Sequence, residues 1–326
     1  MELQQLRYAV AVAETGNFTR AAERTFVSQP SLSQQIINLE AELGQKLFHR
    51  LGRRAIPTEA GLAFLERARK ILADVETAAR QFKDDPEFDR KIVVGMIPTL
   101  APYLLPPLLQ RSAKEHPNLT IYTREDFRGP LCRSVVDGEL DLAVVSLPIT
   151  DPHLSIEPLF SERLLLAVGR DHPLAKKREV APSDLANQTF ILLGDSSSLT
   201  SQIQRFCGDN NLEPKIGYRC SQVRTVKAMA ALNLGISILP QVARSSEDRD
   251  LVYRELSGRA PSRDIGFVRH QQRYQSRGVE AFVSLLRLSV RAYHWGTPIP
   301  APQKQPAPKK SPEDESRKDD TIPATE

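Results

Sequence analysis

The chain has 326 residues, 40% of them hydrophobic and 26% charged, and its formal net charge is +4. This length exceeds the usual size of one domain and the composition supports an ordinary folded core, so two domains followed by a tail are expected. The small positive charge allows nucleic-acid binding without arguing for it, and the spacing of Cys132, Cys207 and Cys220 excludes a disulfide framework and a cysteine-based metal site.

The N-terminal region carries the signals of short helices. One helix is predicted over Leu3–Glu14, where apolar residues recur at helical spacing. Asn17 is a good N-cap for a second helix over Phe18–Thr25. Ser28 is the N-cap candidate of a third helix, and Pro30 suits its first turn because amides there lack intrahelical acceptors.

The third helix is predicted to have two chemically distinct sides. A buried stripe at spacings of four, three and four residues is formed by Leu32, Ile36, Leu39 and Leu43. The other side carries Ser33, Gln34 and Asn38. These neutral side chains can read base edges in a major groove, and Gln or Asn suits adenine. At the helix N-terminus, Ser28, Gln29 and Ser31 can meet phosphates.

A basic segment follows this helix over residues 46–54. It contains four positive charges and no acid, and apolar residues alternate with the basic ones, as in a short hairpin. Such a hairpin is a plausible wing over the phosphate backbone or the minor groove. Each helix alone could be an ordinary amphipathic helix, but the caps, turns, exposed amides and wing in this order favour a winged helix-turn-helix over residues 1–58.

The same residues resemble the LysR-type transcriptional regulators. The matching runs are Asn17–Glu23, Val27–Ile36, Leu39–Gly44, Leu47–Arg50 and Thr58–Gly61. The resemblance implies DNA contacts at Thr19, Arg20, Ser28, Gln29, Pro30, Ser31, Ser33, Gln34, Arg53 and Arg54. It is sharpest over about the first 65 residues, and the chain's organisation agrees with the family through about residue 295.

A long helix is predicted over residues 59–88 as a linker. An a/d seam with a 3.5-residue period is formed by Leu65, Ala68, Leu72, Val75, Ala79 and Phe82. The helix could instead pack on its own domain, but a two-stranded coiled coil explains the pattern better. The resemblance implies a homodimer through this helix, commonly a homotetramer, and RNA polymerase as a further partner of a regulator bound to double-stranded promoter DNA.

Strands and helices alternate over residues 91–297, which predicts an α/β domain with parallel strands. Lobe I is expected at about 91–162 and 268–297, and lobe II at about 163–267. Two lobes joined by two crossings resemble the periplasmic-binding-protein fold that this family uses. Residues 298–326, rich in proline and charge, are predicted to form a disordered tail.

A ligand in such a domain is expected beyond the carboxyl ends of strands, near helix N-termini. Residues that meet this condition are Pro98, Thr99, Leu100, Ser146, Ser196, Ser198, Thr200 and Thr225. Their hydroxyls and the free amides nearby suit a carboxylate or another small anion. The alternative is that these serines and threonines are simply helix caps.

Some members of the family sense peroxide through a cysteine pair in this part of the chain. Cys207 lies near the second position of that pair, but Ser198 stands where the reactive first cysteine would be. Cys220 is a poor substitute for it, since it lies beyond Cys207. Thiol-based sensing is therefore not expected, although Cys207 could still be reactive.

Two other classes of protein fit the sequence less well than a regulator does. A solute-binding protein would share the two-lobed architecture but would require export, and no signal peptide or apolar span of about 18 residues is present. An enzyme is disfavoured because the six histidines are scattered and no catalytic fingerprint appears. The sequence thus predicts a cytoplasmic DNA-binding regulator without cofactor, metal or membrane contact, controlled by a small-molecule effector.

Overall fold

The computed structural model describes residues 1–52, 54–83, 90–292 and 296–298. Its N-terminal unit consists of α1 (Leu3–Thr15), α2 (Phe18–Arg24), α3 (Gln29–Leu43), β1 (Phe48–Leu51) and β2 (Arg54–Pro57). The predicted caps form: the side chain of Asn17 accepts the amides of Thr19 and Arg20, and that of Ser28 accepts the amide of Ser31. Leu32, Ile36 and Leu39 of α3 pack with α1 and α2 in one small core. Leu43, the last member of the predicted stripe, is 37% exposed, so its predicted burial is wrong. β1 and β2 pair antiparallel as the predicted wing.

The linker helix α4 (Glu59–Lys83) leaves this unit. Leu65 and Ala68 are each only 1% exposed, and Leu65 belongs to the core of the N-terminal unit. The first part of the predicted a/d seam is therefore wrong, because these two side chains are covered by their own chain. Leu72 and Val75 are half-buried, whereas the side chains of Ala79 and Phe82 lie outside the described residues.

The C-terminal domain begins with β3 (Arg90–Met96), α5 (Ala101–Glu115), β4 (Leu119–Glu125), α6 (Arg128–Asp137), β5 (Leu142–Ser146) and β6 (Leu154–Gly169). It continues with β7 (Glu179–Val180), β8 (Thr189–Leu193), α7 (Ser198–Asp209), β9 (Lys215–Cys220), α8 (Val223–Ala231) and β10 (Ser237–Pro240). It ends with β11 (Leu251–Leu256), β12 (Ser262–His270), α9 (Arg277–Ala292) and β13 (Thr297–Pro298). Short 3-10 helices lie at Pro173–Lys176, Pro182–Leu185 and Gln241–Ala243.

Two hydrophobic cores define the two lobes, as predicted. In lobe I, β4, β3 and β5 run parallel and β12 pairs antiparallel with β5 and β6. In lobe II, β8 and β9 form a parallel pair, while β10 and β11 flank the second half of β6. β7, which is only two residues long, pairs in parallel with β11.

β6 and β12 carry the chain between the lobes. The first half of β6 pairs with β12 from Leu154 to Arg163, and the second half pairs with strands of lobe II. Ile265 and Phe267 of β12 lie in the core of lobe I, so the predicted end of lobe II at residue 267 is too late. A strand that continues through a crossing has no turn signal to mark the boundary.

Lobe I also contacts the linker helix. Arg273 Nε lies 3.1 Å from Asp74 Oδ1 on α4, and Arg273 Nη1 donates to the carbonyl of Val135 at the end of α6. Gly138, the left-handed C-cap of α6, lies against Ala73 of α4.

Within the described part of the chain, no helix is long and apolar enough to cross a membrane. β13 pairs with β6, so Pro298 is ordered in a strand rather than starting the tail, and residues 299–326 lie outside the described residues.

Candidate DNA interface and effector cleft

The polar side of α3 is exposed and internally ordered. Ser28, Gln29, Pro30, Ser31, Gln34 and Asn38 are exposed, as are Thr19 and Arg20 on α2. The Gln34 amide donates to the Asn38 side-chain oxygen at 3.0 Å, so one N–H and the oxygen of Gln34 stay available to a base. An amide held in this way can make the paired hydrogen bonds that adenine offers in the major groove.

The wing is tied to α3 by a buried carboxylate. Glu40, 3% exposed, accepts the backbone amides of Leu47 and Phe48 at 2.9 and 3.3 Å and pairs with Lys46 at 3.0 Å. Because a buried carboxylate needs several donors, this arrangement fixes the start of the wing on the recognition helix. Arg54 is exposed at the wing, and Arg53 lies outside the described residues. Sequence reasoning missed Glu40, which looks like a surface acid at its position.

The second site lies between the lobes, where the carboxyl ends of parallel strands face each other. The helices α5, α6, α7 and α8 all begin at this edge. Among the described residues, none of the four N-cap side chains accepts a hydrogen bond from its helix. The partial positive charges of four helix N-termini therefore meet in one place, without side chains that neutralise them.

A cleft opens at this point, and it is called the effector cleft below. It is lined by Ile97, Pro98, Thr99, Phe127, Arg128, Leu193, Ser197, Ser198, Ser221 and Val223. Apolar walls with a few hydroxyls and one guanidinium are what a small polar ligand requires for burial with a fixed orientation. The cleft brings together the predicted residues Pro98, Thr99 and Ser198, and Ser146 reaches it through Ser198.

Ser146 and Ser198 connect the two lobes across the cleft. The Ser146 hydroxyl, at the end of β5, donates to Ser198 Oγ at 2.7 Å, at the start of α7. On the lobe I side, Arg128 Nη1 donates to the carbonyls of Ser146 and Pro148 at 3.4 and 3.2 Å. Within the described residues, Arg128 has no carboxylate within 4.0 Å, and so its charge remains available to a ligand.

Besides Ser146, which contacts the cleft only through Ser198, four predicted effector residues do not line this cleft. Leu100 is buried in the core of lobe I, and Thr200 is buried with its hydroxyl donating to the carbonyl of Leu193. Ser196 and Thr225 are exposed away from the lining. The prediction treated every hydroxyl near a helix start alike, but the direction of each side chain around the first turn decides which ones face the ligand.

Arg128 is the important residue that sequence reasoning missed. Pro130 is the local sequence signal for the start of the helix after β4, because proline is common in the first helical turn. The observed α6 starts two residues earlier, at Arg128. The available signal was that Arg128 follows shortly after the carboxyl end of a strand, which is where ligand sites occur in such sheets.

Comparison with known proteins decides the family. A family model for the LysR substrate binding domain matches residues 87–290, and a model for the bacterial regulatory helix-turn-helix protein, lysR family, matches residues 3–62. The chain belongs to the LysR-type transcriptional regulators. It is therefore a DNA-binding transcriptional regulator with an effector-binding domain, as the sequence predicted.

Individual relatives agree over nearly the whole LysR-type architecture. The chain is 32% identical to the uncharacterised regulator YcgK of Bacillus subtilis, over 89% of this chain and 95% of the relative. It is 35% identical to the DNA-binding transcriptional dual regulator OxyR of Escherichia coli, over 82% and 89% respectively. A solved full-length OxyR variant from Pseudomonas aeruginosa is 28% identical and superposes with a TM-score of 0.73, covering 94% of this chain and 99% of that one.

The cysteines of this LysR-type chain are poorly suited to redox chemistry. Cys207 is fully buried in α7, and burial raises the pKa of its thiol to about 11. Burial likewise raises the pKa of Cys132 and Cys220, which are half-buried. Because the thiolate is the reactive form, all three residues stay largely protonated and slow to react at neutral pH.

Proposed function

We propose that this LysR-type regulator is controlled by a small anion bound in the effector cleft. The observation that carries the proposal is the convergence of four helix N-termini beside the guanidinium of Arg128, which has no carboxylate partner among the described residues. Helix N-termini and an arginine both favour a carboxylate or a similar group. Thr99, Ser197 and Ser198 add hydroxyls that fix its orientation.

Calorimetry on the full-length protein tests this proposal with matched ligand pairs. Benzoate, malonate and sulfate serve as anionic probes, and benzamide and malonamide serve as neutral isosteres. At least one anion should bind, and its neutral isostere should bind with an affinity lower by about tenfold or more. This is the loss expected when a charge-assisted hydrogen bond is removed. Equal binding of anionic and neutral partners would contradict the proposal.

A matched pair of charge variants locates the binding site. Arg128→Gln should weaken binding of the anion by about tenfold or more, since it removes the charge but keeps a polar side chain. Arg133→Gln is the control, because Arg133 lies exposed on the same helix outside the cleft lining. Equal effects of both substitutions would indicate a general charge effect rather than a site.

Cleft closure would link the ligand to DNA. A ligand that holds the lobes together selects one arrangement of the domains, and with it one spacing of the DNA-binding units. By linkage, ligand and DNA must change each other's affinity by the same factor. Contact with RNA polymerase remains a prediction from the family resemblance.

The proposed homodimer uses α4 on the side that its own chain leaves open. Leu62 and Ile71 are 61% and 40% exposed, whereas Leu65 and Ala68 are covered. Pairing two recognition helices lets a dimer read two half-sites and multiplies weak contacts. Ile71→Asp should shift sedimentation toward the monomer. Leu288→Asp is the control, since Leu288 is similarly exposed on α9, and an unchanged dimer in Ile71→Asp would contradict this seam.

A further inference from the structure

Arg50 of the wing connects three elements of the DNA-binding unit. It lies in β1, and its guanidinium sits over the ring of Phe18, the first residue of α2, with 4.5 Å between the guanidinium carbon and the ring centroid. Its Nη1 donates to Ser33 Oγ of α3 at 2.9 Å. The side chain is thus held in place by a stacking contact and by a hydrogen bond.

The ring beneath the guanidinium is itself fixed. Phe18 is half-buried and meets the buried ring of Phe48 edge-on, with centroids 6.0 Å apart. Phe18 is positioned by the capped start of α2, and Phe48 by the hydrogen bond that its backbone N–H donates to Glu40 Oε1. Arg50 therefore rests on a surface that belongs to the core of the unit rather than on a mobile side chain.

The charge of Arg50 has no acidic partner among the residues that the structure describes. Two other cations of this unit are neutralised, since Arg24 pairs with Glu14 at 2.6 Å and Lys46 with Glu40 at 3.0 Å. Arginine has five N–H donors, and Ser33 takes one of those of Arg50. Arg50 is exposed, and the Ser33 that it contacts precedes Gln34 in α3.

We propose that Arg50 is a phosphate-binding residue of the DNA interface and that Ser33 positions it. A guanidinium held over an aromatic ring, with donors beyond the one that Ser33 accepts, is preorganised for a phosphate at the edge of the groove that α3 enters. This assigns Ser33 a different part from the direct DNA contact that family resemblance implies. Ser33 holds Arg50, and Arg50 meets the duplex.

Salt dependence of DNA binding tests the assignment, because each phosphate contact adds to it whatever the base sequence. The full-length protein and its variants are titrated onto a labelled random-sequence duplex of about 40 base pairs, at salt concentrations from about 50 to 200 mM. Arg50→Ala should reduce the slope of log affinity against log salt concentration by about one for each DNA-binding unit that contacts the duplex. Arg50→Lys should keep the slope but bind several-fold more weakly, since lysine lacks the planar fork.

Arg24→Ala is the matched control, because it removes the same charge from the same unit at a residue already paired with Glu14. Its slope should remain that of the unchanged protein. If Arg50→Ala kept the full slope, or lost no more of it than Arg24→Ala, the phosphate contact would be refuted. Thermal unfolding of each variant shows whether a change in slope comes from misfolding. If Arg50 had only a structural role, Arg50→Lys would not be expected to restore the slope.

The part assigned to Ser33 is tested by a double substitution. If Ser33 acts through Arg50, Ser33→Ala should weaken binding in the unchanged background and have no further effect in Arg50→Ala. Additive losses would show that Ser33 meets DNA independently and would overturn its positioning role.

Discussion

Arg263 and Glu162 form an ion pair of 2.8 Å with both side chains fully buried, at the place where β12 and β6 pass between the lobes. Arg263 also donates to the Thr99 hydroxyl at 2.8 Å, and Glu162 accepts the amide of Val242 at 2.9 Å. The pair thus links the first loop of lobe I, both crossing strands and a 3-10 helix of lobe II. Thr99 also lines the effector cleft, so one residue belongs both to the proposed ligand site and to the hydrogen bonds around the buried ion pair.

Removing one partner of this pair should be costly. Arg263→Met leaves Glu162 buried without its counter-charge and should lower the free energy of unfolding by about 3–5 kcal/mol. The double substitution Arg263→Met with Glu162→Leu should recover much of that loss, because it leaves no isolated charge. Denaturant unfolding measures both. A double variant that is less stable than Arg263→Met alone would contradict this account.

Hydrogen peroxide should not switch this protein. Ser198 cannot form a thiolate, and burial raises the pKa of Cys207 to about 11. Mass spectrometry after peroxide treatment of the folded protein should show little oxidation of Cys207 and no disulfide, with DNA affinity unchanged. Unfolded protein serves as the positive control. Rapid, complete oxidation of Cys207 in the native state would refute this prediction.

Gly138→Ala should loosen the contact between lobe I and the linker helix. A Cβ at this position would lie 2.4 Å from the Cβ of Ala73 and 2.5 Å from Arg273 Nη1. Its left-handed φ of +81° adds strain of about 1 kcal/mol for alanine. Gly258→Ala is the control for that strain alone, since Gly258 has φ +74° and no described atom within 4 Å of the added Cβ.

The expected difference between the two glycine variants is about 1–3 kcal/mol, the usual cost of overpacking. Denaturant unfolding should therefore give a lower free energy of unfolding for Gly138→Ala than for Gly258→Ala. Adding Ala73→Gly should restore part of the loss, after correction for about 1 kcal/mol from glycine in a helix. Equal losses in the free energy of unfolding for the two single variants would mean that the added Cβ is accommodated against α4 without strain.

Stability should fall as the pH drops below about 6.5, the ordinary pKa of histidine. Burial lowers the pKa of His172, whose Nδ1 accepts the amide of Leu174, and burial also lowers the pKa of His270. Each group favours the folded state when neutral, so its contribution is complete above the unfolded pKa and is lost as the pH falls through the folded pKa.

His172→Asn should flatten this pH dependence. Asparagine keeps an oxygen to cap the following 3-10 helix but does not titrate. Melting temperatures between about pH 7.5 and 5.5 should therefore fall less steeply in the variant, and less steeply again when His270→Asn is added. A profile as steep as that of the unchanged protein would contradict the assignment.

Local signals predicted the elements well. Asn17 and Ser28 cap their helices as expected, and the stripe through Leu32 and Ile36 packs into the core. These features depend on residues three or four positions apart, which a linear reading can compare directly. The alternation of strands and helices likewise predicted both lobes, although the boundary inside β12 was missed.

The sequence by itself determined the family, the winged helix-turn-helix and the two-lobed domain, because caps, periodicity and motifs are written over short spans. Only the tertiary structure decided which side chains meet: Arg50 with Ser33, Arg263 with Glu162, and Arg128 with the carbonyl of Ser146. It also showed that Leu65 is covered by its own chain. The physical reason is that such contacts join residues far apart in the chain, and their directions follow from how whole elements pack, which no local pattern records.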